Sequence, residues 1–117
     1  MKPVLILLSA AASAAFLASA ALAAGMLTDA KGMTLYTFDK DTKDMSNCYD
    51  ACATAWPPYL VMKGEKPKGE GWTMTKRKDG TEQWAYDGKP LYFFVKDTKP
   101  GEAMGEGMKG VWHTVNE

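Results

Sequence analysis

The stretch Leu35-Tyr36-Thr37-Phe38-Asp39-Lys40-Asp41-Thr42-Lys43 returns as Leu91-Tyr92-Phe93-Phe94-Val95-Lys96-Asp97-Thr98-Lys99, shifted by 56 residues. The register extends outward without an insertion, from Gly32 on Gly88 to Trp56 on Trp112, and gives nine identities. So many glycine and aromatic matches in one frame make the chain two copies of one supersecondary unit. Two copies are too few for an open solenoid, so the units must close on each other as a pseudo-symmetric domain. The copies span about 27–61 and 83–117, joined by a loop and a strand within a single domain over 24–117.

The unit reads as β structure. Leu35–Phe38 and Leu91–Phe94 are short, aromatic-rich and bounded by glycine and charge, and a period of two puts Tyr36 with Phe38 and Tyr92 with Phe94 on one face. Asp87-Gly88 is a hairpin signal that pairs Gln83–Tyr86 with Leu91–Phe94. A second turn at Lys78-Asp79-Gly80 adds Trp72–Thr75, giving a three-stranded meander. The glycine- and lysine-rich run Met62–Gly71 reads as an exposed connector. One short helical turn is expected between Ser46 and Ala55, capped by Ser46 or Asn47 and stopped by Pro57-Pro58. The fold class is therefore mainly β, a small antiparallel two-repeat domain with one helical turn at the Cys-x-x-x-Cys segment.

Residues 1–23 have the form of a cleavable signal peptide: Lys2, an alanine-rich apolar run, then Ala21-Leu22-Ala23 at the cleavage position. So many alanines make a weak permanent span, and no membrane anchor is expected after cleavage. The mature protein is expected to be periplasmic or secreted. Without Lys2 it carries thirteen basic and fourteen acidic residues, which gives nucleic acid nothing to attract.

The paired motif Tyr36-x-Phe38-x-x-Asp41 and Tyr92-x-Phe94-x-x-Asp97 resembles that of a bacterial secreted-repeat family, described as predicted lipoproteins with a conserved Tyr-x-[Phe/Trp/Tyr]-x-x-Asp motif. Cys48, Cys52, Ala53, Trp56, Pro57 and Pro58 are similar to that family's Cys-x-x-x-Cys-Ala and Trp-Pro-Pro elements. Gly88, Pro90, Leu91, Tyr92, Pro100, Gly101 and Trp112 fit its second copy. The resemblance covers almost the whole mature chain and implies no established reaction. No cysteine stands at the cleavage point, so lipid attachment has no acceptor.

Among residues able to carry chemistry, Cys48 and Cys52 lie four apart, on one face of a helical turn at about 6 Å between Cα atoms. Export to an oxidising compartment favours a disulfide, with a redox pair or a soft-metal site as the functional alternatives. In the repeat register Cys48 falls on Met104 and Cys52 on Met108, with His113 just after Trp112. Thioether, thiolate and imidazole are the donors that select copper, so Met104, Met108 and His113 are the candidate metal ligands. The competing reading makes both methionines adaptable packing.

Asp41 and Asp97 read as turn residues whose carboxylates accept backbone N–H bonds. Tyr36, Phe38, Tyr92, Phe94, Trp56 and Trp112 read as core or seam, with an aromatic or carbohydrate-binding surface as the alternative. His113 is the sole histidine, and no nucleophile elbow, zinc-binding helix or phosphate loop is present. The expectation is a non-catalytic exported module, without a cofactor, acting on an unidentified envelope or periplasmic partner. A copper-binding or electron-transfer accessory is the alternative.

Overall fold

The computed structural model describes residues 25–117. The expected signal peptide lies outside the described residues. Among the described residues, five strands form two antiparallel sheets: β1 (Tyr36–Phe38) with β5 (Trp112–Thr114), and the meander β2 (Trp72–Lys76), β3 (Glu82–Tyr86) and β4 (Lys89–Pro90). The first sheet joins the start of one copy to the end of the other, with Phe38 opposite Trp112 and Thr37 opposite His113.

The meander forms around the turns that its sequence announced. Asp87 and Gly88 both adopt positive φ, 51° and 80°, the conformation of a two-residue type I′ hairpin loop. Tyr86 then faces Lys89 and Ala85 faces Pro90. The expected strand Leu91–Phe94 is divided between partners instead of continuing that hairpin. Leu91 N–H still donates to Trp84 O at 2.9 Å, but Tyr92 pairs with Tyr36 on one side and with Pro58 on the other. The exchange Tyr36 N–H to Tyr92 O at 2.8 Å and Tyr92 N–H to Tyr36 O at 2.9 Å is reciprocal. A local twofold axis therefore passes between the two tyrosines, and the copies are interleaved through their motif strands.

The period of two in those strands divides the interior. Leu35 and Leu91 point into one cluster with Leu27 and Trp84. Tyr36 and Tyr92 point into the other, with Cys48, Trp56, Phe94 and Trp112. Each motif strand thus presents a side chain to both cores, as a strand covered on its two faces must.

The helical turn α1 is Ala51–Ala55, and Cys48 and Cys52 form a disulfide with Cα atoms 5.2 Å apart. Its N-cap is Asp50, at φ 55° and without a side-chain cap bond, in place of Ser46 or Asn47. Those two residues are engaged elsewhere: Ser46 Oγ meets the Tyr92 hydroxyl, and Asn47 N–H donates to Asp41. Trp56 N–H closes on Cys52 O at 2.8 Å, and Pro57, with no N–H to offer, ends the helix.

Candidate functional site

At the twofold centre, Phe38, Trp112, Trp56 and Phe94 are stacked as one column. Successive centroids are 4.2, 3.9 and 4.2 Å apart, with interplanar angles of 11°, 4° and 20°. Each copy contributes one phenylalanine and one tryptophan. Tyr36 meets Trp56 edge-on at 5.2 Å, and Tyr92 meets Trp112 in the same way at 5.2 Å. Offset and edge contacts of this kind add to the burial of large apolar rings. Gly105 lies against the column so closely that a Cβ there would come within 2.5 Å of the Trp56 ring.

The motif's polar residues cross the same axis. Tyr36 donates its hydroxyl hydrogen to Asp97 Oδ2 at 2.5 Å, and Tyr92 donates to Asp41 Oδ2 at 2.7 Å. Each tyrosine thus serves the aspartate of the other copy. The aspartates also accept backbone bonds, Asn47 N–H to Asp41 Oδ1 at 2.7 Å and Met104 N–H to Asp97 Oδ1 at 2.9 Å. Burial pushes both tyrosine hydroxyls well above their ordinary value, and the adjoining carboxylates push them further. Burial also raises the Asp41 carboxyl, against the opposing pull of Asn47 N–H, the Tyr92 hydroxyl and the Arg77 charge.

Sequence reasoning missed Arg77, which precedes the Lys78-Asp79-Gly80 turn. It is buried, and its guanidinium reaches Ser46 Oγ at 3.0 Å, Gln83 Oε1 at 2.7 Å and Cys48 O at 2.8 Å while lying over the Tyr49 ring at 4.3 Å. Gln83 in turn donates to Leu91 O at 2.7 Å. The signal was available only as position: Arg77 directly follows β2, where the meander meets the Cys48 segment.

The candidate copper ligands have separate surroundings. Met108 and Cys52 are partly buried against the aromatic column, whereas Met104 is exposed. With the disulfide closed, neither cysteine offers a thiolate. His113 Nε2 is 2.9 Å from Asp39 Oδ2, and its Nδ1 is 3.7 Å from Glu106 Oε2. The Asp39 hydrogen bond, with both carboxylate charges, raises the imidazole pKa above its ordinary value.

One face of the column opens to the surface. A cleft of about 430 Å³ is floored by Phe38, Trp56, Trp112 and Val111, walled by Ala51, Cys52 and Ala55 of the disulfide turn, and bordered by Lys40 and Lys109. Its lining holds two ammonium groups and no carboxylate.

A family model described as a secreted repeat of unknown function matches residues 23–59 and again residues 73–116. No curated protein and no solved structure matches the chain.

Proposed function

Because the chain belongs to a family of secreted repeats of unknown function, we propose that it acts after export as a non-catalytic binding module of the bacterial envelope. Its ligand is a small anion with an apolar body, taken in the cleft between Lys40 and Lys109, and the periplasm is its place of action. The observation that carries this reading is the composition of that cleft: aromatic rings and the disulfide turn among its lining, with two cations and no carboxylate. A volume of about 430 Å³ suits one compact organic molecule. The rings are fixed by their stacking, so binding would immobilise little of the protein.

The reading as a binder is supported by the engagement of the repeat's polar groups with each other. Tyr36, Tyr92, Asp41 and Asp97 hold the two copies together and have no free hydroxyl or carboxylate pair turned toward the cleft. The coarse result of the fold is a frame with a decorated rim.

Calorimetric titration with naphthoate and with uncharged naphthamide tests the proposal. Naphthoate is expected to saturate one site with a preference of roughly fivefold over the amide, as two exposed ammonium groups would confer. Lys40→Gln with Lys109→Gln should erase that preference while leaving the melting temperature within a few degrees. Absence of saturable naphthoate binding, or equal affinity for both compounds, would overturn it.

A further inference from the structure

On the far side of the motif strands, around the other core, three aromatic rings from three segments face one cation. The Lys68 ammonium lies 4.8 Å from the Trp84 ring centroid, 5.6 Å from that of Tyr59 and 5.7 Å from that of Trp72. We propose that Tyr59, Trp72 and Trp84 are an aromatic cage for a quaternary ammonium group, and that Lys68 occupies it as a built-in competitor.

The cage is made by the scaffold and not by the lysine. Trp84 sits in β3 and Trp72 begins β2, held opposite Tyr86. Tyr59 is fixed by its own N–H to Leu91 O at 2.9 Å and by accepting Trp84 N–H at 2.8 Å. The rings also support one another edge-on, Trp72 against Trp84 at 6.0 Å and 88°. Trp84 is fully buried, and its Nε1 has no hydrogen-bond partner among the described residues.

Lys68, by contrast, enters from the connector between Met62 and Gly71, whose Gly64, Gly69 and Gly71 all adopt positive φ. Its ammonium makes a single ion pair, with Glu65 at 4.0 Å, and no hydrogen bond among the described residues. A primary ammonium carries three N–H donors that seek acceptors, so the three ring faces satisfy it poorly. A trimethylammonium group has no donors to leave unsatisfied and is the cation that such cages bind best. Beside the cage lies a cleft of about 360 Å³ lined by Thr28, Asp29, Ala30, Tyr59, Lys68 and Trp72. Asp29 gives that cleft a negative charge; its Oδ1 holds the Lys31 and Met33 N–H groups, and its Oδ2 has no hydrogen-bond partner among the described residues. This site is separate from the Lys40 and Lys109 cleft and has the opposite charge preference.

The full mature chain would be titrated with choline chloride, with its uncharged analogue bearing a tert-butyl group in place of trimethylammonium, and with butylammonium, following tryptophan emission and heat. Choline is expected to bind saturably and the uncharged analogue not at all, with butylammonium weaker than choline. Lys68→Ala should tighten choline binding by roughly three- to tenfold by removing the competitor, and Trp72→Leu should abolish it. Tyr59→Leu repeats the test at a second ring, and near-ultraviolet circular dichroism reports that each variant remains folded. Sedimentation with phosphatidylcholine vesicles, against vesicles of phosphatidylglycerol, separates a lipid headgroup from a free solute as the natural source. Saturable binding in either arm that Trp72→Leu removes and Lys68→Ala strengthens supports the cage. Binding indifferent to both substitutions, or none in Lys68→Ala with either free choline or choline-bearing vesicles, overturns it.

Discussion

Tyr36 and Tyr92 are equivalent in the repeat and make the same bond, each to the aspartate of the opposite copy. What approaches their hydroxyl oxygens differs. Tyr36 accepts a fixed backbone donor, Gly105 N–H at 3.1 Å. Tyr92 meets the Ser46 hydroxyl at 2.5 Å, and Ser46 is in turn held by Arg77, which follows β2. One half of the frame is closed by a backbone donor from a loop, the other by a buried side chain from the segment leading into β3. The segment leading into β3 is thus a structural member of the first copy's site, tied in through a buried cation.

Arg77→Met should therefore produce the largest effect. It keeps much of the volume but strands Gln83 Oε1 and Cys48 O in the interior, at a cost of about 3 kcal/mol in denaturant unfolding. The comparison makes a second demand. Arg77→Met should be non-additive with Tyr92→Phe, which belongs to the same network, and additive with Tyr36→Phe, which shares no partner with it. Equal coupling to both tyrosines would mean that the two halves are not held independently.

Alkaline unfolding comes next. Burial and the neighbouring carboxylates raise both hydroxyls above the unfolded value of 10.0. A raised folded pKa means that the native state keeps its proton while the unfolded chain loses it. The stabilisation is complete below the unfolded value and is lost as pH climbs above it toward the folded one. Each tyrosine should contribute a fall of about 1.4 kcal/mol per pH unit in that window. Either Tyr→Phe variant should remove half of the slope, measured as urea midpoints in alkaline buffers; removal of the whole slope by one variant would show that only one tyrosine is protected.

At neutral pH the two substitutions should differ from each other. Tyr36→Phe leaves the buried Gly105 N–H with no way to turn, whereas after Tyr92→Phe the Ser46 hydroxyl can rotate to another acceptor. Costs of about 2 kcal/mol for Tyr36→Phe and about 1 kcal/mol for Tyr92→Phe follow from the difference between a fixed orphan donor and a free rotor. The reverse order would assign the greater weight to the Arg77 network.

Much of this frame was legible in the residues themselves. The 56-residue register, the Asp87-Gly88 hairpin and the pairing of Cys48 with Cys52 rest on local chemistry, which sequence reports well. The crossed bonds were not legible, because Tyr36 and Asp41 lie five positions apart and suggest a local turn. Only the antiparallel meeting of Tyr36 with Tyr92 brings each tyrosine to the other's aspartate. The split of Leu91–Phe94 between Trp84, Tyr36 and Pro57 was hidden for the same reason: alternation reveals that a strand is covered on both faces but not which edges cover it. Lys68 lies in the run read as an exposed connector, and nothing in the sequence singled out Arg77. Their roles depend on the aromatic and polar groups that the long-range contacts bring under them.

The smallest expected effect tests a position at which the copies differ outright. Where the first copy has Pro57, the second has His113, held opposite Thr37 and flanked by Asp39 and Glu106. The Asp39 hydrogen bond leads the causes that raise its folded pKa above 6.5, so its contribution to stability is present below that value and is lost as pH rises through the folded pKa. Glu106, whose pKa is lowered first by the Thr114 N–H bond, stays ionised throughout that window and adds no slope of its own. The imidazole is largely solvated, so the change belongs to the β1–β5 pair and not to global unfolding. Amide exchange of Thr37 and His113, which face each other across that pair, should therefore quicken from mildly acidic to mildly alkaline pH, beyond the intrinsic dependence, while that of Phe93, bonded to Pro57 O at 2.7 Å, does not. His113→Asn should flatten the difference between the two sites; a difference that survives the substitution would remove the histidine from the account and leave the sheet pairing alone to explain it.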